Sequence, residues 1–179
     1  MRTTLNIAED ALLAASHLAE REHLSLGDAV SEKHMAARAL LDANVWVALF
    51  DDAHQFSARA NEFIEARGAK IATCPLTENG VLRVMSLPSY GRRGGVGMQQ
   101  VRERLRLACS TLDHEFWPDD ITLRDDARVD FSRVQGHNQV TDLYLLALAV
   151  FRGGRLVTFD QAIALSSIHS AGARHLHLL

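Results

Sequence analysis

The chain has 179 residues, of which 47% are hydrophobic and 23% are charged, and its net charge is −3. This composition is typical of a globular protein. Because no apolar run approaches the roughly 20 residues that span a bilayer and residues 1–10 lack a signal-peptide core, we expect a cytoplasmic protein with no membrane partner. The near-neutral charge excludes nucleic-acid binding through global charge, and Cys74 and Cys109 are expected to be reduced structural thiols.

The first predicted elements lie in residues 1–33. The stretch RTTLNI is typical of a short strand, and the amphipathic stretch from about Glu9 to Arg21 predicts a helix. Ser25 is a typical N-cap for a second, short helix. The N-terminal segment is therefore expected to be strand, helix, helix.

The sequence changes character at His34-Met35. The restriction site CATATG encodes His-Met and is routinely placed at a cloned start codon, and MAARALLDANVW resembles a natural N-terminus. We therefore expect a junction at residues 34–35, which suggests two pieces joined by cloning. An ordinary linker is the alternative. The main domain is expected over residues 36–179.

From residue 38 onwards, short apolar stretches alternate with longer amphipathic ones. The predicted elements are a strand from Arg38 running into a helical segment that ends at Phe50, helix 54–69, strand 70–74, helix 75–86, helix 98–112, strand 119–123, helix 124–135, helix 140–153, strand 154–160 and strand 174–179. Strands alternating with helices predict a three-layer α/β/α fold around a mainly parallel sheet.

Four carboxylates are predicted at the carboxyl ends of these strands, where ligands bind in such sheets. Asp42 ends the first strand, Glu78 lies in the first turn of the helix after the second strand, Asp142 begins the apolar helix with Thr141 as a candidate N-cap, and Asp160 ends the strand RLVTFD. Like charges repel at short range, so the four acids predict a site for Mg²⁺ or Mn²⁺. Such a site suits phosphodiester hydrolysis.

Each acid also has a structural explanation. Glu78 and Asp142 suit helix N-termini through the helix dipole, and Asp160 suits the N-cap of a helix over residues 161–167. Asp42 has no comparable structural need. The metal-site hypothesis therefore depends on the four acids together.

The motifs resemble a known family. LLDANVWVAL, TENGVLRVMS, HNQVTDLYLLALA and GRLVTFD match, in order, motifs of the PIN-domain family, specifically VapC toxins of bacterial toxin–antitoxin pairs, over essentially residues 36–179. The resemblance implies a Mg²⁺-dependent endoribonuclease that acts on RNA such as tRNA or rRNA, pairs with a VapB-type antitoxin and forms homodimers. The implied metal ligands are Asp42, Glu78, Asp142 and Asp160, with Asn44 and Thr141 in supporting positions.

Residues 1–33 resemble the ribbon–helix–helix start of a VapB-type antitoxin. In that fold, strands of two chains pair and enter the major groove of DNA. The polar strand face formed by Arg2, Thr4 and Asn6 is the candidate reader of operator DNA. Here the second helix is short and the family's toxin-neutralising tail is absent. The alternative is a structural or dimerising segment without operator binding.

Two further hypotheses remain. Arg92 and Arg93, in a glycine-rich loop, are candidate contacts to the RNA backbone, although a solvated charged face explains them equally simply. The second is a DNA-binding co-repressor that acts through residues 1–33. A haloacid-dehalogenase-type phosphatase is disfavoured because it requires an aspartate where this chain has Asn44.

Overall fold

The computed structural model describes residues 37–66, 69–90, 95–134 and 136–179. All of them except Ala37 lie within one compact unit that extends from Arg38 to Leu179. The predictions for the N-terminal segment, the junction and the arginine-rich loop lie outside the described residues; these predictions concern Arg2, Thr4, Asn6, residues 34–35, Arg92 and Arg93. Within the described part of the chain, no helix is long and apolar enough to cross a membrane.

Five strands and five α-helices alternate along the described chain. The helices are α1 (Ala43–Phe50), α2 (Ser57–Glu65), α3 (Pro75–Met85), α4 (Met98–Thr111) and α5 (Val140–Phe151). The strands are β1 (Ala39–Leu41), β2 (Lys70–Thr73), β3 (Asp113–Phe116), β4 (Arg155–Thr158) and β5 (Leu176–Leu178). Short 3-10 turns lie at Phe131–Arg133, His137–Gln139, Leu165–Ser167 and Ala173–His175.

The strands form one sheet in the order β3-β2-β1-β4-β5. Each of its four strand pairs is parallel. The central strand β1 is fully buried, as a strand covered on both faces must be. The predicted α/β class with a parallel sheet is confirmed.

Helices cover both faces of the sheet. One buried cluster joins α1, α2, α3 and α4 to the sheet through residues such as Trp46, and the other joins α5 to the opposite face through residues such as Leu146. Alternation along β1 explains the division, since Leu41 belongs to the first cluster and Leu40 to the second. Two helical layers therefore enclose the sheet.

The third strand differs from the prediction. Residues 119–123, predicted as a strand, are irregular, and β3 precedes them. Arg38 ties this polar edge strand to the sheet: its Nη1 donates to the carbonyl of Asp113 at 2.9 Å, and its guanidinium lies 2.9 Å from the carboxylates of Asp113 and Glu115. Because charged contacts replace apolar ones at this edge, hydrophobic patterning missed the strand.

The helix predicted over residues 124–135 is also wrong. The described part of this segment consists of turns and one 3-10 turn. The side chain of Asp125 accepts a hydrogen bond from the N–H of Ala127 at 3.0 Å, and that of Asp130 accepts one from Ser132 at 3.1 Å. Such local side-chain bonds offer the backbone an alternative to the helix.

The end of α5 sets the position of β4. Gly153 adopts a positive φ of 66°, its N–H donates to Val150, and the N–H of Gly154 donates to Ala149, which completes a Schellman motif. A Cβ at Gly154 would lie 2.5 Å from the carbonyl oxygen of Arg38 and 2.6 Å from the Trp117 ring. Glycine therefore permits β4 to start directly beside β1.

Candidate catalytic site at the carboxyl edge of the sheet

The strand order creates a crevice between β1 and β4. From β1 the chain continues outward to β2 and β3, and it then crosses to β4 and β5 on the other side. In open parallel sheets such a reversal point opens a crevice beyond the carboxyl ends of the two strands. Asp42 directly follows β1, and Asp160 lies two residues beyond β4. Two of the predicted acids therefore lie at this crevice.

Asp42 links strand β1 to helix α1. Its N–H donates to the carbonyl of Val157 at 3.0 Å, which extends the pairing with β4, and its own carbonyl accepts from the N–H of Val45 at 3.0 Å. The residue occupies the N-cap position of α1, but its carboxylate makes no capping hydrogen bond. It is only 6% exposed. The N–H groups at the start of α1 therefore act on this buried carboxylate without a capping hydrogen bond to it.

Thr158 connects two of the acids. Its hydroxyl donates to Oδ2 of Asp42 at 3.1 Å and accepts from the N–H of Asp160 at 3.1 Å. Thr158 is fully buried. Thr158 was not among the predicted site residues, although a threonine two positions before an acid in an apolar strand shares that acid's face. The buried hydroxyl fixes the Asp42 carboxylate and the Asp160 backbone together.

The surroundings of Asp42 disfavour its charged form. Burial raises the pKa of its carboxyl, the hydrogen bond from Thr158 and the N–H groups of Ala43 and Asn44 lower it in part, and the charge of Asp160 raises it further. Asn44 itself is exposed in the first turn of α1. A buried carboxylate with a raised pKa is typical of functional sites.

Asp142 completes a group of three aspartates. It lies in the first turn of α5. Burial raises its pKa to about 6, and the charges of Asp42 and Asp160 contribute to the rise. These mutual effects show that the three carboxylates lie within electrostatic reach of one another, although they are far apart in the sequence.

Two predicted caps at this edge differ from the structure. Helix α5 begins at Val140 with Gln139 at the N-cap, so the prediction of Thr141 as the cap is wrong. Thr141 is exposed on the first turn. Asp160 precedes a turn instead of a helix, and its Oδ1 accepts from the N–H of Ala162 at 2.7 Å. One oxygen of Asp160 thus stabilises the loop.

Glu78 lies in the first turn of α3, as predicted, but has its own set of partners. Its Oε1 accepts from the hydroxyl of Thr73 at 2.8 Å. Its charge raises the pKa of Cys109 in addition to burial, and it opposes the effect of burial on the pKa of His114. The structure therefore joins three of the four predicted acids electrostatically and gives the fourth a separate environment.

Comparison with known proteins follows this geometry. The sequence model of the PIN domain matches residues 39–166. Ribonuclease VapC44 of Mycobacterium tuberculosis is 42% identical over 143 residues, which cover 79% of this chain and 99% of that protein. This chain belongs to the PIN-domain family of VapC ribonucleases.

Two further comparisons are with other VapC proteins. Ribonuclease VapC38 of M. tuberculosis is 42% identical over 126 residues, covering 70% of this chain and 86% of that protein. The crystal structure of M. tuberculosis VapC20, a sarcin-ricin loop cleaving toxin, covers 69% of this chain and 91% of its own at 13% identity, with a TM-score of 0.49. The sequence relatives place this chain among the endoribonuclease toxins of toxin–antitoxin systems.

PIN-domain ribonucleases generally use divalent metal ions, and the donor set here fits such an ion. Asp42 and Asp142 have pKa values raised first by burial and then by neighbouring carboxylates, which a bound cation would relieve. Among the described residues, no group of three or more histidine, cysteine, aspartate or glutamate side chains is arranged to hold a metal ion without further ligands. An open set of this kind suits Mg²⁺, which retains waters and substrate oxygens beside one or two carboxylates.

Proposed function

We propose that this VapC ribonuclease is a metal-dependent endoribonuclease whose cation is held by Asp42, Asp142 and Asp160. The observation that carries the proposal is the electrostatic convergence of these three carboxylates at the crevice between β1 and β4. Oxygen donors favour Mg²⁺ or Mn²⁺. When bound, such a cation polarises a phosphodiester and activates water toward it.

The chain's own groups have distinct tasks in this proposal. Asp42 is held rigidly by Thr158 and is the least exposed carboxylate of the three. Asp142 is half-buried, and burial together with the neighbouring carboxylates raises its pKa to about 6 in the metal-free chain, a cost that a bound cation would remove. Asp160 is exposed and offers one oxygen outward while the other holds the loop. Solvent exposure therefore increases from Asp42 through Asp142 to Asp160, and we expect RNA to approach from the Asp160 side.

The remaining predicted residues lie around this group. We assign Glu78 as the fourth acid, because it begins the helix that follows β2 at the same sheet edge. Asn44 and Thr141 are exposed in the first turns of α1 and α5, on the two helices that begin at the crevice. Their positions favour polar contacts to substrate over support of the metal ligands.

The partners proposed for the chain follow from its family. They are an RNA substrate, such as tRNA or rRNA, and a VapB-type antitoxin, with activity in the cytoplasm and a homodimer as the working form. Arg92 and Arg93 are proposed contacts to the RNA backbone. The alternative, a co-repressor that binds operator DNA through Arg2, Thr4 and Asn6, depends on residues 1–33 and is not favoured by the relatives, which are ribonucleases.

Cleavage of total tRNA and rRNA by the purified chain tests the proposal. We expect cutting with Mg²⁺ or Mn²⁺ and none with EDTA. Asp42→Asn and Asp142→Asn should each reduce the rate at least about 100-fold, because each removes a charge that holds the cation. Asp126→Asn is the matched control, since Asp126 is exposed on a turn.

Two outcomes contradict the proposal. The first is cleavage that survives EDTA, and the second is full activity of both aspartate variants. If the full chain does not cut, the same assay on a chain that starts at Met35 decides between an inactive domain and a domain blocked by residues 1–33. Retardation of operator DNA by the full chain, lost with Arg2→Ala, would favour the co-repressor.

A further inference from the structure

A hydrogen-bonded chain of three side chains lies at the end of strand β2. Thr73, the last residue of β2, is fully buried. Its hydroxyl oxygen lies 2.8 Å from Oε1 of Glu78 and 2.8 Å from Nε2 of His114. His114 comes from β3, where it pairs with Ile71 in the strand register. Three separate elements, β2, β3 and α3, therefore converge on one hydroxyl group.

The hydrogen bonds in this chain have one direction. An ionised carboxylate only accepts, so the single proton of the Thr73 hydroxyl must point to Glu78. The hydroxyl oxygen then accepts from His114, which must carry a proton on Nε2. The order of donation is His114 to Thr73 to Glu78. The carboxylate thus receives a hydrogen bond that is itself strengthened by a second donor.

Packing alone does not require this arrangement. Thr73 lies two residues after Ile71 and therefore on the sheet face of the first buried cluster, where valine has the same shape and no polar group to satisfy. The helix dipole favours an acid in the first turn whatever its rotamer, whereas the hydrogen bond from Thr73 fixes the rotamer of Glu78. Burial, and then the charge of Glu78, raise the pKa of the Cys109 thiol on α4, so this neighbour supplies no charge. The chain therefore sets the direction of one carboxylate.

We propose that Thr73 and His114 are positioning residues that hold the Glu78 carboxylate in its working orientation for RNA cleavage. The inference rests on the proposed function, since it assigns Glu78 a part in that reaction. Neither residue needs to touch the substrate. They influence the cleavage rate only by orienting Glu78, and this distinguishes their role from a purely structural one.

Single and double variants test whether Thr73 and His114 act through Glu78. With the RNA cleaved by the parent chain as substrate, Thr73→Val is expected to lower kcat about 10- to 100-fold with little change in KM, and Thr73→Ser to stay within about threefold of the parent. His114→Phe should resemble Thr73→Val, and His114→Gln, which keeps a donor near the Nε2 position, should be milder. In a Glu78→Gln background, Thr73→Val should have no further effect.

A structural role gives a different result. If Thr73→Val lowers kcat equally with and without the Glu78 carboxylate, or if Thr73→Ser is as impaired as Thr73→Val, the inference is overturned. The nitrogen NMR spectrum of the His114 ring is a readout that needs no substrate, and we expect the tautomer protonated on Nε2. The other tautomer overturns the inference even if no RNA is cut. Full activity of Glu78→Gln also overturns it, whereas the proposed function then stands or falls on Asp42→Asn.

Discussion

The hydroxyl of Thr158 donates a 3.1 Å hydrogen bond to the carboxylate of Asp42, and both residues are buried. Replacing this donor removes a stabilising contact from a charge that already lacks water. We expect Thr158→Val to weaken the binding of Mg²⁺ and to lower the cleavage rate about 10- to 100-fold, because partners of metal-binding carboxylates have effects of this size. Thr158→Ser keeps the hydroxyl and should remain within a few-fold of the parent. Mg²⁺ titrations of the two variants measure the difference, and equal curves would contradict it.

Asp142 should destabilise the metal-free protein at neutral pH. Its pKa is about 6 in the folded chain and about 3.9 in an unfolded one. Between these values the folded state binds more protons, so the contribution of Asp142 to the free energy of unfolding falls as pH rises through this window. The loss is complete above pH 6 and amounts to about 1 kcal/mol once solvent screening of this half-buried group is included.

Thermal unfolding in EDTA at several pH values checks this effect. Asp142→Asn should melt about 3 °C higher than the parent at pH 7 and within 1 °C of it near pH 4, a shift expected for about 1 kcal/mol in a domain of this size. The same variant should be inactive. A variant that melts lower than the parent at pH 7 would show that repulsion among the aspartates is absent.

Gly80 permits the close approach of α3 to α1. A Cβ at this position would lie 2.7 Å from the Cβ of Ala43, the residue that follows Asp42. Although alanine favours a helix, we expect Gly80→Ala to destabilise the fold by about 1–3 kcal/mol, because the two helices must separate. Activity should fall as well, since the movement reaches Asp42. Gly172→Ala is the control, as no atom lies within 4 Å of its added Cβ. Chemical denaturation of both variants would contradict the prediction if their midpoints agree.

Asp160 combines a structural and an electrostatic role that substitution can separate. Its Oδ1 accepts from the N–H of Ala162 at 2.7 Å, and its charge raises the pKa of Asp142. Asp160→Asn keeps the acceptor and removes the charge, so it should retain the parent's stability and lose most activity. Asp160→Ala removes both and should cost about 1 kcal/mol of stability in addition. Equal melting temperatures of the two variants would exclude the structural role.

Apolar patterning predicted β1, β2, β4, β5 and the five α-helices because each of them buries a continuous or periodic apolar face. It failed at β3, whose sequence DHEF is held by Arg38, and at residues 124–135, where aspartate side chains bind the backbone locally. Both failures occur where polar contacts replace burial.

The site divides in the same way. The sequence predicted that Asp42 and Asp160 lie at the same edge, because parallel strands bring their carboxyl ends to one edge of the sheet. The partners of Glu78 could not be predicted, since Thr73 and His114 meet only when β3 pairs with β2. Hydrogen bonds between residues that are distant in sequence have no signature in one sequence.

The bond between Asp42 and Thr158 spans 116 positions of the chain, so nearly the whole domain must be present before these two residues can meet. Contacts of such range form late, because the intervening chain must be ordered first. A polypeptide that is still being synthesised lacks β4 and Asp160, so the crevice between β1 and β4 has not yet formed. The proposed site can therefore form only after β4 has been synthesised.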